Sequence, residues 1–352
     1  MFSRLILPLT YDCNLNCEYC YAAKRGSGAL PFLIGARAID FLIGNNLKKG
    51  VELIFTGGEP LLEWVKIKKL ILYAEATAKE KNTRLETLGL ATNGLLLNKK
   101  ILSFCRKKNV EVAVSADGPA NKRKTGKGTD SFFILEKKFP LLLEYVDIVR
   151  LKITVHPDYA TQFFEIFENF VKKGFVRIDI QPVRGVRWSA KNRRSFLKGL
   201  SECFNFLTEA KINGRKIDMK HWRDFVRENN QGKCCPKVRA EFMVDVDGFI
   251  YPCSFFSSIS FPERRKYAIG RVDSDPYLDL TRNYQDFKIC ENSAISSVIK
   301  KKCSSCSLSP ACFKICLGFD IQKRRFNRAI AQEGWQLFRG IERVYSKFAS
   351  GN

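Results

Sequence analysis

The sequence predicts an α/β fold built on a parallel sheet. Residues 3–182 alternate between short segments rich in β-branched residues and longer segments with helical spacing. Most of the short segments are almost continuously apolar, which is typical of parallel strands buried on both faces. Six β–α repeats imply right-handed crossovers, so the sheet is either an open doubly wound sheet or a partial barrel. In both arrangements the reactive groups belong at the carboxyl ends of the strands.

The individual elements follow from local composition. A representative helix is predicted at 161–173, where Phe163, Phe167 and Phe170 share one face with Val171. The predicted strands, in chain order, are residues 4–10, 51–56, 85–92, 110–116, 146–155 and 176–183.

The pattern changes after residue 183. A basic stretch with helical character (188–230) leads to EFMVDVDGFIYPC (241–253), which predicts two short strands joined at Asp247-Gly248. A cysteine-rich region follows, and an amphipathic helix is predicted at 326–347. The predicted organisation is a barrel domain at 1–185, a helical linker region at 186–232, and a small cysteine-rich domain with the C-terminal helix at 233–352.

The charge balance favours an acidic partner without identifying one. The chain carries 60 Lys and Arg against 36 Asp and Glu, a net charge of +24. Nucleic acid, an acidic peptide and a solvated basic surface all remain open, because the cations are spread along the chain with only short clusters such as KRKTGK (122–127). The concentrated aromatic interleaving of a nucleic-acid stacking platform is lacking, which argues against RNA. No apolar run reaches transmembrane length and no cleavage signal is visible, so we expect a cytoplasmic protein with no membrane partner.

Thirteen cysteines are many for a cytosolic chain. In a reducing compartment, clustered thiols serve as metal ligands more often than as disulfides. Cys105 and Cys203 lie apart from the clusters in the apolar helical segments ILSFC and CFNFL, and we predict that they are core residues.

The first cysteine cluster follows the first predicted strand. Cys13, Cys17 and Cys20 have C-x3-C-x2-C spacing, which suits three corners of a cubane 4Fe–4S cluster and leaves one iron open to a cofactor or substrate. Structural zinc needs four closed ligands. No fourth cysteine or histidine lies nearby, since the only two histidines are His156 and His221. His156, before a proline, is expected to be a strand-end polar residue.

This motif resembles that of the radical S-adenosylmethionine (SAM) superfamily. Tyr19 occupies the aromatic position before the third cysteine, and TGGEP (56–60), ATNG (91–94), SADGP (115–119) and RLKITV (150–155) occur in the family's order at expected strand ends. The resemblance implies a partial (β/α)6 TIM-like barrel. It also implies a reactive 4Fe–4S cluster, SAM as cofactor, and an electron donor of the flavodoxin or ferredoxin type.

The resemblance also implies a SAM site, with the glycine-rich turn at the methionine end. For Lys152 a solvated position on a strand is equally open. Asp117 and Gln181 are candidates to face the substrate, although turn and core roles are equally open for them. The implied SAM-binding set is Tyr19, Gly57, Gly58, Glu59, Asn93, Ser115 and Lys152.

The C-terminal cysteines resemble the SPASM domain, which carries auxiliary clusters in peptide- and protein-modifying radical SAM enzymes. CSSCSLSPACFKIC (303–316) has C-x2-C-x5-C-x3-C spacing, and Cys235-x12-Gly248-x4-Cys253 precedes it. A zinc ribbon fits this spacing poorly. The resemblance implies one auxiliary cluster on Cys235, Cys253 and Cys316, with Cys234 available as a fourth ligand, and a second on Cys303, Cys306 and Cys312.

The second auxiliary cluster departs from the family pattern. No cysteine follows Cys316, so its last thiolate is missing. Asp320 could substitute, Cys290 could supply the ligand, or one iron could stay open.

The resemblance implies a peptide or protein maturase that abstracts hydrogen and forms a thioether or carbon crosslink. No extension precedes the first predicted strand, so we expect a separate leader-recognition protein. Formylglycine formation on a sulfatase is the alternative, and RNA modification a third. Sulfatase maturases carry an aspartate after the cysteine that corresponds to Cys253, whereas this chain has Ser254, a poor base without an activating partner.

Overall fold

The computed structural model describes residues 3–20, 28–46, 49–119, 122–219, 241–252, 254–259, 264–273 and 328–349. Several predicted positions lie outside the described residues: Cys234, Cys235, Cys253, Cys290, Cys303, Cys306, Cys312, Cys316, Asp320 and His221.

The chain forms two compact units. The first comprises Met1–Ser115, Arg123–Val149 and Lys237–Lys288, and it carries parallel strands paired in the order β9, β1, β3, β4, β5. β10 and β11 extend this sheet by antiparallel pairing beyond β9. Its strands are β1 (Arg4–Pro8), β2 (Leu15–Cys17), β3 (Gly50–Thr56), β4 (Arg84–Thr92), β5 (Val110–Ser115), β6 (Arg123–Thr125), β9 (Glu241–Val244), β10 (Phe249–Tyr251) and β11 (Gly270–Arg271).

The helices of the first unit cover this sheet with apolar faces. In α1 and α2 the buried residues recur every three or four positions, for example Ile67, Leu70, Ile71 and Ala74, as burial of one helical face requires. The helices are α1 (Phe32–Gly44), α2 (Trp64–Glu80), α3 (Lys99–Lys107), α4 (Ser131–Glu136) and α5 (Phe139–Tyr145).

The second unit comprises Ala116–Lys122, Arg150–Pro236 and Ile289–Asn352. It holds the parallel pair β7 (Val149–Val155) and β8 (Ile178–Pro182), although the first residue of β7 belongs to the first unit. Its helices are α6 (Phe163–Lys172), α7 (Ala190–Ile212) and α8 (Arg328–Ala349). Phe204 of α7 stacks on Phe348 of α8, with ring centroids 5.1 Å apart.

Each of the six predicted strands has a counterpart, and those expected at 146–155 and 176–183 start late, at Val149 and Ile178. The strand expected at 146–155 begins at Val149, because α5 extends to Tyr145 and the Val146 N–H caps it by donating to Leu142 O. The hairpin at Asp247-Gly248 is confirmed, with Gly248 at a φ of 82°. Cys105 and Cys203 are both fully buried, as predicted, and burial raises the pKa of the Cys105 thiol to about 12.

No helix within the described ranges combines the length and the apolarity needed to cross a membrane.

Candidate active site

The three clustered cysteines lie on one loop after β1. The Cys20 N–H donates to Cys17 O at 3.0 Å, which closes a turn between two of the ligands. The Leu15 N–H donates to Cys13 Sγ at 3.4 Å. None of the three forms a disulfide; Cys13 is exposed and the other two are partly exposed. The loop therefore presents three thiols that a cluster can reach.

An unpredicted strand holds this loop in place. β2, inside the loop, pairs antiparallel with β6, which brings Cys17 opposite Arg123. Arg123 Nη1 donates to the Tyr19 hydroxyl at 3.2 Å, and its positive charge lowers the pKa of Glu59, although burial dominates that pKa. A guanidinium therefore lies among Tyr19, Glu59 and the cysteine loop. Sequence reasoning treated KRKTGK only as a charge cluster and missed Arg123.

The donor set of the loop, three thiols, suits a cubane cluster. Among the described residues, no three Cys, His, Asp or Glu side chains converge on a point where one metal ion could be bound. A cubane needs no such point, because each iron takes its own thiolate. Although Cys13 is exposed overall, partial desolvation raises the pKa of its thiol, and the Leu15 N–H donor only partly offsets this. Cluster binding must therefore release this proton.

The glycine-rich turn is built against the start of the cysteine loop. A Cβ on Gly57 would lie 2.2 Å from Thr10 O, and one on Gly58 would lie 2.3 Å from Asp12 O. The Gly58 N–H donates to Thr10 O at 2.7 Å and the Glu59 N–H donates to Asp12 O at 2.8 Å. Only glycine permits this approach of backbone to backbone. The glycines thus join the turn to the cysteine loop, a role additional to the predicted contact with SAM.

Glu59 is fully buried beneath this turn. Its carboxylate accepts hydrogen bonds from the Leu61 N–H (3.0 Å), the Thr92 hydroxyl (2.7 Å) and the Asn93 N–H (2.7 Å). Burial raises the pKa of Glu59, and these donors act against that rise. The carboxylate therefore ties the ends of β3 and β4 together, and its contact with a SAM ammonium stays a prediction.

Asn93 reaches the cysteine loop from the end of β4. Its Nδ2 donates to Asn14 Oδ1 at 2.6 Å and lies 3.7 Å from Cys13 Sγ. Its Oδ1 accepts from the Leu95 N–H at 3.0 Å, which fixes the side chain. The structure thus brings Asn93 together with Cys13 and Glu59, as expected for a residue of one site.

The other predicted residues have different surroundings. Ser115 ends β5, as expected for a strand-end contact. In the second unit, Lys152 lies in the middle of β7 and not at its end, and Gln181 lies on β8. Asp117 is buried and accepts a hydrogen bond from the Thr154 N–H at 2.8 Å, so it supports the backbone there.

Two further positions lie near predicted features. His156 caps a short helical turn by accepting from the Asp158 N–H, a strand-end polar role. The Ser254 hydroxyl donates to Glu241 Oε1 at 2.8 Å, and the Ser254 N–H donates to the same oxygen at 2.9 Å. Glu241 is almost fully buried at the start of β9. The serine therefore has a carboxylate partner that the sequence did not reveal.

A family model covers the part of the chain that carries the cysteine loop and the glycine-rich turn. Residues 7–176 match the family model of the Radical SAM superfamily, so the chain carries a radical SAM domain and is an enzyme of that class. SAM and a 4Fe–4S cluster are its cofactors. The cysteine loop, the glycine-rich turn and Asn93 all lie inside the matched range.

Two sequence relatives differ in how much of the chain they match. A cysteine-type anaerobic sulfatase-maturating enzyme of Clostridium perfringens is 22% identical over 90% of this chain and 88% of its own length. An uncharacterized protein of Methanocaldococcus jannaschii, MJ0907, is 37% identical, but the match spans only 32% of this chain and 38% of that protein.

Solved structures confirm the fold class, a mixed α/β fold that matches the partial barrels of radical SAM enzymes. Native anSMEcpe with bound AdoMet and Cp18Cys peptide has a TM-score of 0.77 at 21% identity and covers 99% of both chains. Streptococcus suis SuiB bound to its precursor peptide SuiA has a TM-score of 0.63 at 15% identity, over 94% of this chain and 76% of that one.

Proposed function

We propose that this chain is a peptide or protein maturase that abstracts a hydrogen atom from its substrate and forms a thioether or carbon crosslink. The observation that carries the proposal is the assembly of the cysteine loop, the GGE turn and Asn93 at the carboxyl ends of β1, β3 and β4. Relatives and structural neighbours that act on peptides or proteins, such as sulfatase maturases and SuiB, support the substrate class.

Three thiols would hold the reactive cluster. Cys13, Cys17 and Cys20 would hold the cluster and leave one position open to SAM. When bound, the cluster would supply the electron that cleaves SAM, and SAM would supply the 5′-deoxyadenosyl radical for hydrogen abstraction. Within the protein, Asn93 orients Cys13 and the β2–β6 pair fixes the loop around Cys17.

The surrounding residues bind and orient SAM. The turn at Gly57–Glu59 meets the methionine end, and Tyr19, Asn93, Ser115 and Lys152 complete the predicted set. Arg123 adds a fixed positive charge beside Tyr19, suited to a carboxylate because a guanidinium can pair with it bidentately. Asp117 and Gln181 stay candidates to face the substrate.

The partners follow from charge and redox chemistry. The net charge of +24 suits an acidic leader peptide, delivered by a separate recognition protein. A flavodoxin- or ferredoxin-type donor reduces the reactive cluster. The cysteines between residues 234 and 316 would hold auxiliary clusters, which would supply an acceptor for the electron of the substrate radical or a ligand site for a substrate thiol. We also propose that the barrel domain ends at residue 185 and that the cysteine-rich domain begins after residue 232.

SAM cleavage tests the proposal. The protein is reconstituted anaerobically with iron and sulfide, reduced with dithionite and supplied with SAM, and 5′-deoxyadenosine is quantified. We expect Cys17→Ala to abolish the product, while Cys105→Ala, which changes a buried core thiol, retains it. Absence of 5′-deoxyadenosine from the fully reconstituted wild type would refute the proposed reaction.

Formylglycine formation on a sulfatase is the second candidate. The contact between Ser254 and Glu241 favours it, because the carboxylate supplies the hydroxyl with the activating partner that a serine base requires. Incubation with cysteine- and serine-containing sulfatase peptides, followed by hydrazide capture of an aldehyde, tests it. Capture that is lost in Glu241→Gln would support this reaction, and a crosslinked product without aldehyde would exclude it.

A further inference from the structure

A closed buried triad lies at the end of β1. The Tyr11 hydroxyl donates to Asp245 Oδ1 at 2.6 Å and accepts from Arg264 Nη1 at 2.7 Å. Arg264 Nη2 lies 2.5 Å from Asp245 Oδ2. Asp245 and Arg264 are fully buried and Tyr11 is 7% exposed. Each member therefore contacts the other two inside the core of the first unit.

Aromatic rings surround the buried charge. The Arg264 guanidinium carbon lies 5.1 Å from the Tyr11 ring centroid and 5.8 Å from that of Tyr251. The Val246 N–H also donates to Asp245 Oδ1, at 2.9 Å. A buried ion pair contributes little net stability by itself, because desolvation offsets the attraction, but it has strict geometric requirements. The triad thus defines one position for the Tyr11 side chain.

The main chain of Tyr11 lies where the cysteine loop and the glycine-rich turn meet. Tyr11 is two residues before Cys13, and a Cβ on Gly58 would lie 2.6 Å from Tyr11 O. On either side of it, Thr10 O and Asp12 O accept the N–H groups of Gly58 and Glu59. Any shift of Tyr11 would move the glycine-rich turn and the first cysteine together.

We propose that Tyr11, Asp245 and Arg264 are positioning residues for the SAM site. The inference rests on the proposed function for its ligand. Asp245 follows β9 and Arg264 lies in the described segment 264–273, so the geometry around Cys13 depends on a part of the chain far away in sequence. Folding of the segment that flanks the predicted ligand Cys253 thereby sets the backbone against which SAM is held.

The test compares two buried tyrosine hydroxyls. Tyr11→Phe removes one hydroxyl and keeps the ring. Tyr159→Phe is its matched control, since Tyr159 is also 7% exposed and its hydroxyl donates to Thr154 O at 2.8 Å. A double variant, Asp245→Leu/Arg264→Met, removes both charges, because removing one would leave the other buried without its partner. Each reconstituted protein is assayed for iron content, SAM dissociation constant and hydrogen exchange of the Gly58 and Glu59 amides.

We expect Tyr11→Phe and the double variant to weaken SAM binding about tenfold and to speed exchange of both amides by a similar factor, from loss of hydrogen bonds to charged groups. In Tyr159→Phe, the iron content, the SAM dissociation constant and the exchange rates of both amides should match wild type. Unchanged exchange in Tyr11→Phe, or an equal effect in Tyr159→Phe, overturns the inference. If wild type itself binds no SAM, the proposed function fails, whereas the exchange rates still decide the role of the triad.

Discussion

At the residue scale, Glu59 shows how burial changes the role of a motif residue. A carboxylate in a glycine-rich turn suggests contact with a ligand, but here its oxygens accept from Leu61, Thr92 and Asn93. A fully buried acid with three donors is fixed in position, because moving it would leave those donors unsatisfied. Glu59 therefore organises the site whether or not it also contacts SAM.

The pH dependence of stability tests this role of Glu59. Burial raises its pKa above the ordinary value of 4.5. The folded protein then binds the proton more tightly than the unfolded chain, so this contribution to stability is complete below the ordinary pKa and is lost as the pH rises through the folded pKa. Because Glu59→Gln cannot titrate, we expect the stability of wild type relative to the variant to fall as the pH rises above the ordinary pKa and through the raised one.

Denaturant unfolding of the metal-free protein at several pH values measures that difference. Glu80→Gln serves as the control, because it makes the same substitution at a side chain that is 69% exposed. Parallel stability curves for wild type and Glu59→Gln would contradict the prediction.

Arg123 is the second residue whose role became visible only in the fold. We expect Arg123→Met to weaken SAM binding about tenfold, through loss of a charge-assisted contact, and Arg123→Lys to recover part of it. Equilibrium dialysis of the reconstituted protein measures the affinity. Lys124→Met is the matched control, because Lys124 is the next residue on β6 and its amine lies 3.5 Å from Asp130. Equal losses in both variants would mean that only net charge matters.

At the element scale, the strands that could be predicted are those with a local signal. β1 and β5 are short, apolar and almost continuously buried, and their sequences show it. β2 and β6 have three residues each, too few for any periodicity, and they form only because a distant segment pairs with the cysteine loop. The same limit applies to Tyr11, since nothing local connects it with Asp245 and Arg264.

The glycine-rich turn gives a prediction of its own. We expect Gly58→Ala to destabilise the protein by about 1–3 kcal/mol, since its Cβ would press on backbone that cannot move aside, and to lower iron content as the cysteine loop shifts. Gly126→Ala has nothing within 4 Å of its Cβ, and we expect it to be neutral or stabilising by about 0.4–1 kcal/mol. Thermal unfolding and iron analysis measure both variants. A loss in Gly58→Ala alone would indicate steric contact, whereas equal losses in both would indicate that neither glycine tolerates a side chain.

At the scale of the whole molecule, the two compact units are assembled from interleaved pieces of the chain. The first unit combines Met1–Ser115 with Lys237–Lys288, and the second includes the C-terminal helix α8. Sequence patterns identify such elements but not which of them share a core, because that choice depends on long-range packing. The order of motifs along the chain predicted the class of enzyme, whereas the residues that support the site came from contacts distant in sequence.

The count of irons tests whether the whole chain is organised as proposed. Three four-iron clusters require about twelve irons per chain, one cluster on the described loop and two on the cysteines between residues 234 and 316. We expect Cys303→Ala/Cys306→Ala to lose about four irons and to keep the SAM-dependent change in the spectrum of the reactive cluster. The variant Cys105→Ala/Cys203→Ala, which alters two core thiols, should keep the full count. A wild-type count of about four that the first variant leaves unchanged would show that the C-terminal thiols bind no cluster, and the electron released by substrate oxidation would then need another acceptor.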